Sequence, residues 1–336
     1  MNEGFFDYSL PSELIAQSPL KDRAASRLLV LDRSSGQIQD RIFREVPTLL
    51  QKGDTLVLND TRVTARRLTC FKTTGGKVEL VLLGRIGPQT YRALAKPART
   101  LRPGTDLHQP DADIEFTVTA NLGEGIVELE VPNKKNLRSK LESVGSIPLP
   151  PYIHTALHDS ERYQTVYAKS PGSAAAPTAG LHFTQSLLNQ IAQAGIAIAR
   201  ITLDVGLDTF RPVQSDPADH KMHGEQCTVS QQAADTINQT KARVIAVGTT
   251  AVRTLESMAI GPKRVHAGSK STTLFIRPGF RFQVVDAMFT NFHMPRTTML
   301  LMIAAFASPD LIEAAYSHAV CARYRFLSFG DSMLLL

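Results

Sequence analysis

The 336-residue sequence has no tryptophan and only three cysteines, Cys70, Cys227 and Cys321. Three widely separated cysteines exclude a disulfide framework and a CxxC metal or redox pair, so reduced, buried thiols are expected. Without tryptophan, any RNA-facing surface lacks one strong base-stacking side chain. No stretch reaches the roughly 18 consecutive apolar residues of a membrane span. The opening MNEGFFDYSLPSELIAQ has no basic start leading into an apolar run. A cytoplasmic protein without a membrane partner is therefore expected, as a monomer. No fixed-period repeat or low-complexity tract is present, which excludes solenoid and fibrous architectures. Negative charge is the scarcer sign: 31 Asp and Glu face 37 Lys and Arg, for a net charge of +6. That balance suits a polyanionic partner without demanding one.

The length favours two domains, at about 100 to 200 residues each. Short apolar runs at 28–31 and 55–58, bounded by Gly, Asp or Asn, read as buried strands. From about 66 to 149 the texture changes to alternating segments, KVELVLL (77–83), YRALA (91–95), IEFTVTA (114–120) and IVELEV (126–131), separated by Gly/Pro turns. This pattern predicts an antiparallel β unit, possible as a barrel. After IPLPPY (147–152) helices alternate with strands: helix 184–194, strand 197–204, helix 230–241, strand 244–248, then helices at 296–307 and 309–321. The expected fold class is thus a layered α/β domain, residues 1–65 and 150–336, interrupted by a smaller antiparallel β-barrel domain at 66–149.

Several segments carry chemistry. SPGSAAAPTAGLHFT (170–184) sets small residues and His182 before a helix whose N-cap is predicted to be Thr184, letting backbone approach a ligand closely. A tight connection with a structural histidine is the competing reading. VIAVGTTAVRTLES (244–257) runs from a buried strand through Gly248, Thr249 and Thr250 into a helix, placing amides and hydroxyls for a carboxylate or phosphate, with Arg253 expected on the first turn. Strand-to-helix turns of this kind are also common without a ligand. DHKMHGE (219–225) offers His220, His223 and Glu225, residue types that bind zinc, although the spacing is not HExxH. His293 in TNFHMP falls on a turn before a buried helix, and Asp331 follows a Gly turn where it could cap or pair locally. Basic runs include Arg62, Arg66 and Arg67, a phosphate track only if they converge in space.

In order along the chain, ELIAQSPL, DRAASRLLVLDR, GDTLVLNDTRV, GGKVEL, SIPLPPYI, ERYQTVYA, AAPTAGLHFT, HKMHGE, VGTTAVRTLES, TNFHMPRTTMLLM and YRFLSFGDSML resemble the S-adenosylmethionine:tRNA ribosyltransferase-isomerases of queuosine biosynthesis. The resemblance runs nearly end to end. It implies an α/β domain interrupted by a β-barrel. It also implies a transferase that moves and isomerises the ribosyl part of S-adenosylmethionine onto 7-aminomethyl-7-deazaguanine at the tRNA wobble position, leaving epoxyqueuosine, adenine and methionine. S-adenosylmethionine is then a consumed substrate, and neither a cofactor nor a metal is called for.

Family motifs cover Asp60 and Arg62 of NDTRV, Thr178, Gly180 and His182, Arg253, His293 and Asp331. The roles expected are proton transfer by His182 or His293, and amine deprotonation or sulfonium stabilisation by Asp60 or Asp331. Gly248 to Thr250 with Arg253 are expected to hold the methionine carboxylate, beside Thr178 and Gly180. Arg62, Arg66 and Arg67 are expected on RNA. The sequence departs from the family at TLDVGLDTF, where TLHVGxGTF is usual: Asp204 replaces His and Asp208 replaces Gly. If that histidine is the base, Asp204 must substitute for it. Phe329 stands where Tyr is common. A non-catalytic RNA-binding protein and a metal-dependent hydrolase using His220, His223 and Glu225 are the alternatives.

Overall fold

The computed structural model describes residues 7–132, 135–206, 222 and 224–336. Its nine-stranded mixed sheet comprises β1 (Arg27–Leu31), β2 (Ile38–Ile42), β3 (Thr55–Asn59), β4 (Ala197–Leu203), β5 (Glu225–Val229), β6 (Val244–Val247), β7 (Gly268–Thr272), β8 (Ala287–Asn291) and β9 (Ser332–Leu335). The strand order is β7-β5-β4-β3-β6-β8-β9-β1-β2. β4, β3, β6 and β8 are mutually parallel, while β5 and β9 run antiparallel to their neighbours β4 and β8.

Burial explains the sequence texture. Strands covered on both faces are continuous apolar runs: every residue of β3, β6, β8 and β9 is buried. The edges are polar, IQDRI in β2 and GSKST in β7, which leaves little apolar surface to template pairing with another chain. Leu56, Leu58, Ile245, Val247 and Phe289 share one core with Leu187, Leu188 and Ile191 of helix α1 (Gln185–Gln193). Thr184 caps α1 as expected, its hydroxyl accepting from the Leu187 amide. Helices α2 (Gln231–Asn238) and α3 (Thr249–Ser257) pack on β3, β4 and β6. Helices α4 (Thr298–Ala307) and α5 (Pro309–Cys321) follow, and no helix among the described residues is long and apolar enough to cross a membrane.

The chain divides into two compact units. One holds residues up to Thr61, Pro150–Ser170 and Ala176–Leu336; the other holds Arg62–Leu149 and Pro171–Ala175. The second contains a closed barrel of six antiparallel strands: Arg66–Lys72, Lys77–Arg85, Thr90–Lys96, Asp106–Gln109, Ile114–Gly123 and Ile126–Glu130. Alternate residues such as Leu68 and Cys70, Val78 and Leu80, Phe116 and Val118, and Val127 and Leu129 fill it, the period-two pattern a pleated sheet requires. The fold is therefore an α/β domain interrupted by a smaller β-barrel. The strands at 66–72 and 106–109 were not foreseen: the first is basic, the second only four residues long. Cys70 and Cys227 are buried as expected, but Cys321, at the solvent-facing end of α5, is exposed.

Candidate active site

In the parallel part of the sheet the carboxyl ends of β3, β4, β6 and β8 lie along one edge, the position where open α/β sheets leave a crevice. Residues that follow those strands lie along that edge: Asp60 after β3, Asp204 after β4, Gly248 after β6 and His293 after β8, of which Gly248 and His293 line the cavity there and Asp60 and Asp204 do not. A cavity of about 620 Å³ opens here, lined among others by Thr178, Ala179, Gly248, Thr249, Thr250, Thr290, Asn291, His293 and Ser328. Among the described residues no Asp, Glu, Lys or Arg lines it.

The turn into α3 requires glycine. Gly248 has φ of +89°, a left-handed conformation that strains any residue with a Cβ. The amides of Thr249 and Thr250 then begin the helix and have no acceptor inside it, the usual arrangement for an anion at a helix N-terminus. Asn59 braces this turn, donating from Nδ2 to the Thr250 hydroxyl (3.2 Å) and to the Leu203 carbonyl (3.0 Å), while its Oδ1 accepts from the Leu203 amide (3.0 Å).

His293 is held by its main chain. The Tyr316 hydroxyl accepts from its amide (2.9 Å), and the Tyr8 hydroxyl donates to its carbonyl. Phe292 before it is fully buried among Tyr316, Tyr324 and Phe326. The His293 ring meets Thr290 Oγ1 through Nε2 at 2.7 Å, and that hydroxyl points its own proton at the Asn291 carbonyl (3.3 Å). Nδ1 has no protein partner among the described residues, so in the tautomer that places the proton on Nε2 its lone pair is unoccupied. Burial lowers the pKa of His293 to about 3, so the imidazole is neutral.

His182 is buried with a lowered pKa of about 3 as well, first through desolvation and then through the charges of Arg325 and Arg23. Its environment differs. Nδ1 meets Ser26 Oγ at 2.8 Å, and Nε2 faces Asn291 Nδ2 at 3.4 Å. Asn291 also accepts from the Thr178 hydroxyl (3.0 Å) and donates to the Leu327 carbonyl (3.2 Å), which fixes its amide orientation. Both ring nitrogens of His182 are thus occupied, and it lines a smaller cavity of about 280 Å³, not the larger one.

The remaining residues singled out by the sequence separate as follows. Thr178, Gly248, Thr249, Thr250 and His293 come together in the larger cavity. Gly180 does not line it: a Cβ there would sit 2.0 Å from the Tyr167 hydroxyl, so glycine is needed for packing. Arg253 lies one turn beyond the start of α3, not on its first turn, and forms a buried ion pair with Glu225. Its guanidinium is thereby directed to a carboxylate of the protein itself. Asp331, 2% exposed, accepts from the amides of Arg27 (3.0 Å) and Arg325 (2.8 Å), clamping the turn before β9. Asp60 accepts from the Thr202 hydroxyl (2.7 Å), and Asp204 accepts from the Thr61 hydroxyl (2.9 Å). Burial, with the charges of Asp60 and Glu225 adding, raises the Asp204 carboxyl above its ordinary value.

Arg62, Arg66 and Arg67 fall in the barrel unit; Arg67 approaches Glu79 (3.7 Å) and the Leu149 carbonyl (3.4 Å). Asp208, His220 and His223 lie outside the described residues. Glu225, the described member of that cluster, faces Arg253, and no group of three metal-binding side chains occurs among the described residues. Asn59, Thr290 and Asn291 were missed by sequence reasoning, although each lies in a motif already noted, NDTRV or TNFHMP.

The profile of the family described as "Queuosine biosynthesis protein" matches residues 4–335. The chain belongs to the queuosine biosynthesis family. It is 50% identical over 336 residues, 98% of each chain, to an enzyme of Symbiobacterium thermophilum named S-adenosylmethionine:tRNA ribosyltransferase-isomerase. It is 48% identical over the full length of both chains to one of the same name from Staphylococcus haemolyticus. The crystal structure of an S-adenosylmethionine tRNA ribosyltransferase from Thermotoga maritima matches with a TM-score of 0.57 at 35% identity, over 98% of this chain and 99% of that one. Among the described residues, the larger cavity gathers an imidazole nitrogen without a protein partner and the free amides of a helix N-terminus.

Proposed function

We propose that this chain is an S-adenosylmethionine:tRNA ribosyltransferase-isomerase that acts on 7-aminomethyl-7-deazaguanine at the tRNA wobble position, in the cytoplasm, and yields epoxyqueuosine-tRNA, adenine and methionine. The observation that carries this reading is the pairing, in one cavity with no charged side chain among its described lining residues, of the free amides of Thr249 and Thr250 with the unpartnered Nδ1 of His293. The amides suit the methionine carboxylate, and His293 is assigned to take the ribose C5′ proton, which the adjacent sulfonium acidifies.

A pKa near 3 looks too low for a general base. Proton abstraction from a sulfonium substrate, however, moves a positive charge to the imidazole without adding one. The desolvation that opposes imidazolium equally opposed the sulfonium, so a cavity able to admit the substrate tolerates the charge after transfer. S-adenosylmethionine is consumed, and no separate cofactor is assigned. Asp60, with Asp204 beside it, is assigned to the amine nucleophile or the sulfonium, the carboxylates lying at the ends of adjacent strands. Arg62, Arg66 and Arg67 are assigned to RNA phosphates.

The test is incubation with S-adenosylmethionine and tRNA carrying 7-aminomethyl-7-deazaguanine, followed by measurement of free adenine and of the modified nucleoside. Adenine release that depends on that tRNA supports the assignment. Binding of tRNA without release would leave a non-catalytic RNA-binding protein.

A further inference from the structure

The smaller cavity is built differently from the larger one. It is lined by Arg23, Arg162 and Arg325 together with Ser26, His182 and Ser328. Three arginines meet here; Arg325 pairs with Asp331, and the charges of Asp159 and Glu161 reach Arg23. Arg23 donates to the carbonyls of Leu181 (3.0 Å) and Glu161 (3.0 Å), and Arg162 donates to those of Leu20 and Lys21. These neutral acceptors orient both guanidinium groups without cancelling their charge. Arg162 Nε is buried with no hydrogen-bond partner. Arg325 donates to the Ser18 carbonyl (3.3 Å) and pairs at 3.7 Å with Asp331, a carboxylate that also accepts from two amides. Burial and then the charge of Arg162 disfavour the Arg23 cation, ahead of the individual pulls of Asp159 and Glu161. Like charges held together at the cost of desolvation call for an anion. Planar guanidinium forks match the oxygens of a phosphate better than a point charge does. Ser328 lines both cavities, so the two adjoin at the turn before β9.

We propose that Arg23, Arg162 and Arg325 form a phosphate pocket for a backbone phosphodiester of the RNA strand whose target nucleoside enters the larger cavity. This rests on RNA being the substrate. The pocket sets the register of the strand, since a phosphate contact positions a nucleic acid without reading its bases.

The test uses the full chain, a synthetic anticodon stem-loop RNA, inorganic phosphate and S-adenosylmethionine as separate probes. Arg325→Gln is the first variant, because this side chain makes the fewest main-chain contacts of the three; thermal unfolding checks that it folds. It should weaken stem-loop binding roughly tenfold and reduce the salt slope of log affinity by about 1. Arg325→Lys should restore the slope, and inorganic phosphate should compete with the RNA for wild-type protein more strongly than for Arg325→Gln. Arg162→Gln should repeat the loss of affinity if its unfolding midpoint stays near wild type. Unchanged RNA affinity and slope in a folded Arg325→Gln would overturn the pocket. A variant that loses S-adenosylmethionine binding but keeps RNA binding would reassign it to the substrate carboxylate. Inorganic phosphate that binds wild-type protein without displacing bound stem-loop RNA would overturn the phosphodiester assignment alone, leaving a site for free phosphate, whereas no stem-loop binding by wild-type protein would overturn the RNA reading itself.

Discussion

The two cavities along the carboxyl edge of the sheet share Ser328 yet differ in charge: among the described residues the larger has no Asp, Glu, Lys or Arg in its lining, and the smaller has three arginines. The two buried histidines follow the same division. Both are held neutral by burial, but His293 keeps a free Nδ1 in the larger cavity, whereas His182 is tied at both nitrogens between Ser26 and Asn291. A ring nitrogen without a protein partner can exchange a proton with a ligand directly, whereas both nitrogens of His182 already face protein groups. Chemistry is accordingly assigned to the larger cavity and anchoring to the smaller.

The sharpest way to break this division is His293→Ala, which should cut adenine release by about 10²- to 10⁴-fold, the usual contribution of a positioned general base. His182→Ala should leave far more turnover; equal losses, measured as adenine formed under saturating substrates, would erase the distinction.

Acid should reveal what the two histidines share. Each has a folded pKa of about 3 against an ordinary value of 6.5, so the unfolded chain takes up protons first as pH falls. Their neutral burial costs nothing above about pH 6.5, and stability is lost from there toward pH 3, at up to about 1.4 kcal/mol per pH unit for each histidine. Urea unfolding at pH 7 and pH 5 should show this loss, and His182→Gln should reduce the slope by one histidine's share. An unaltered slope would mean that His182 titrates alike in both states.

A smaller effect is expected at the α3 turn. Gly248→Ala has room, its Cβ meeting Ala179 Cβ at 3.5 Å, but the left-handed φ strains alanine by roughly 1–2 kcal/mol. Relief of that strain shifts the Thr249 and Thr250 amides, and S-adenosylmethionine binding measured by calorimetry should weaken about tenfold. Affinity within twofold of wild type would place the substrate carboxylate elsewhere.

The smallest expected effect is at Asp204, where the family usually has His. Its raised carboxyl pKa means that its ionisation costs stability as pH rises above the ordinary carboxylate value. Asp204→Asn keeps an acceptor for Thr61 and should gain less than about 1 kcal/mol at neutral pH, read from the urea midpoint. A loss instead would show that the negative charge is wanted at this edge.

Much of this was legible from residues alone. Buried central strands such as TLVLN and VIAV stand out as apolar runs, and the barrel's alternation is visible at 77–83 and 114–120, because burial on two faces or on one leaves different periods. Edge strands β2 and β7 were invisible, since exposed backbone at a sheet edge selects polar residues that resemble loop. At the candidate site, the motifs named residues that line one cavity, Thr178, Gly248, Thr249, Thr250 and His293, but not which of their atoms are occupied. Arg253 looked like an anion binder until Glu225, 28 residues away in sequence, was found beside it. Arg23, Arg162 and Arg325 belong to three separate stretches, and nothing in any one of them announces a pocket.

The amino-acid sequence by itself determined the two-domain texture, the helix caps, the glycine turn into α3 and, through ordered motifs, the family. Those properties depend on neighbours in the chain or on burial averaged along an element. Only the tertiary structure decided which histidine keeps a free nitrogen, which carboxylates are structural clamps and where three arginines meet. Each of those depends on groups brought together across the sheet, where partners distant in sequence decide whether a polar atom is occupied or free.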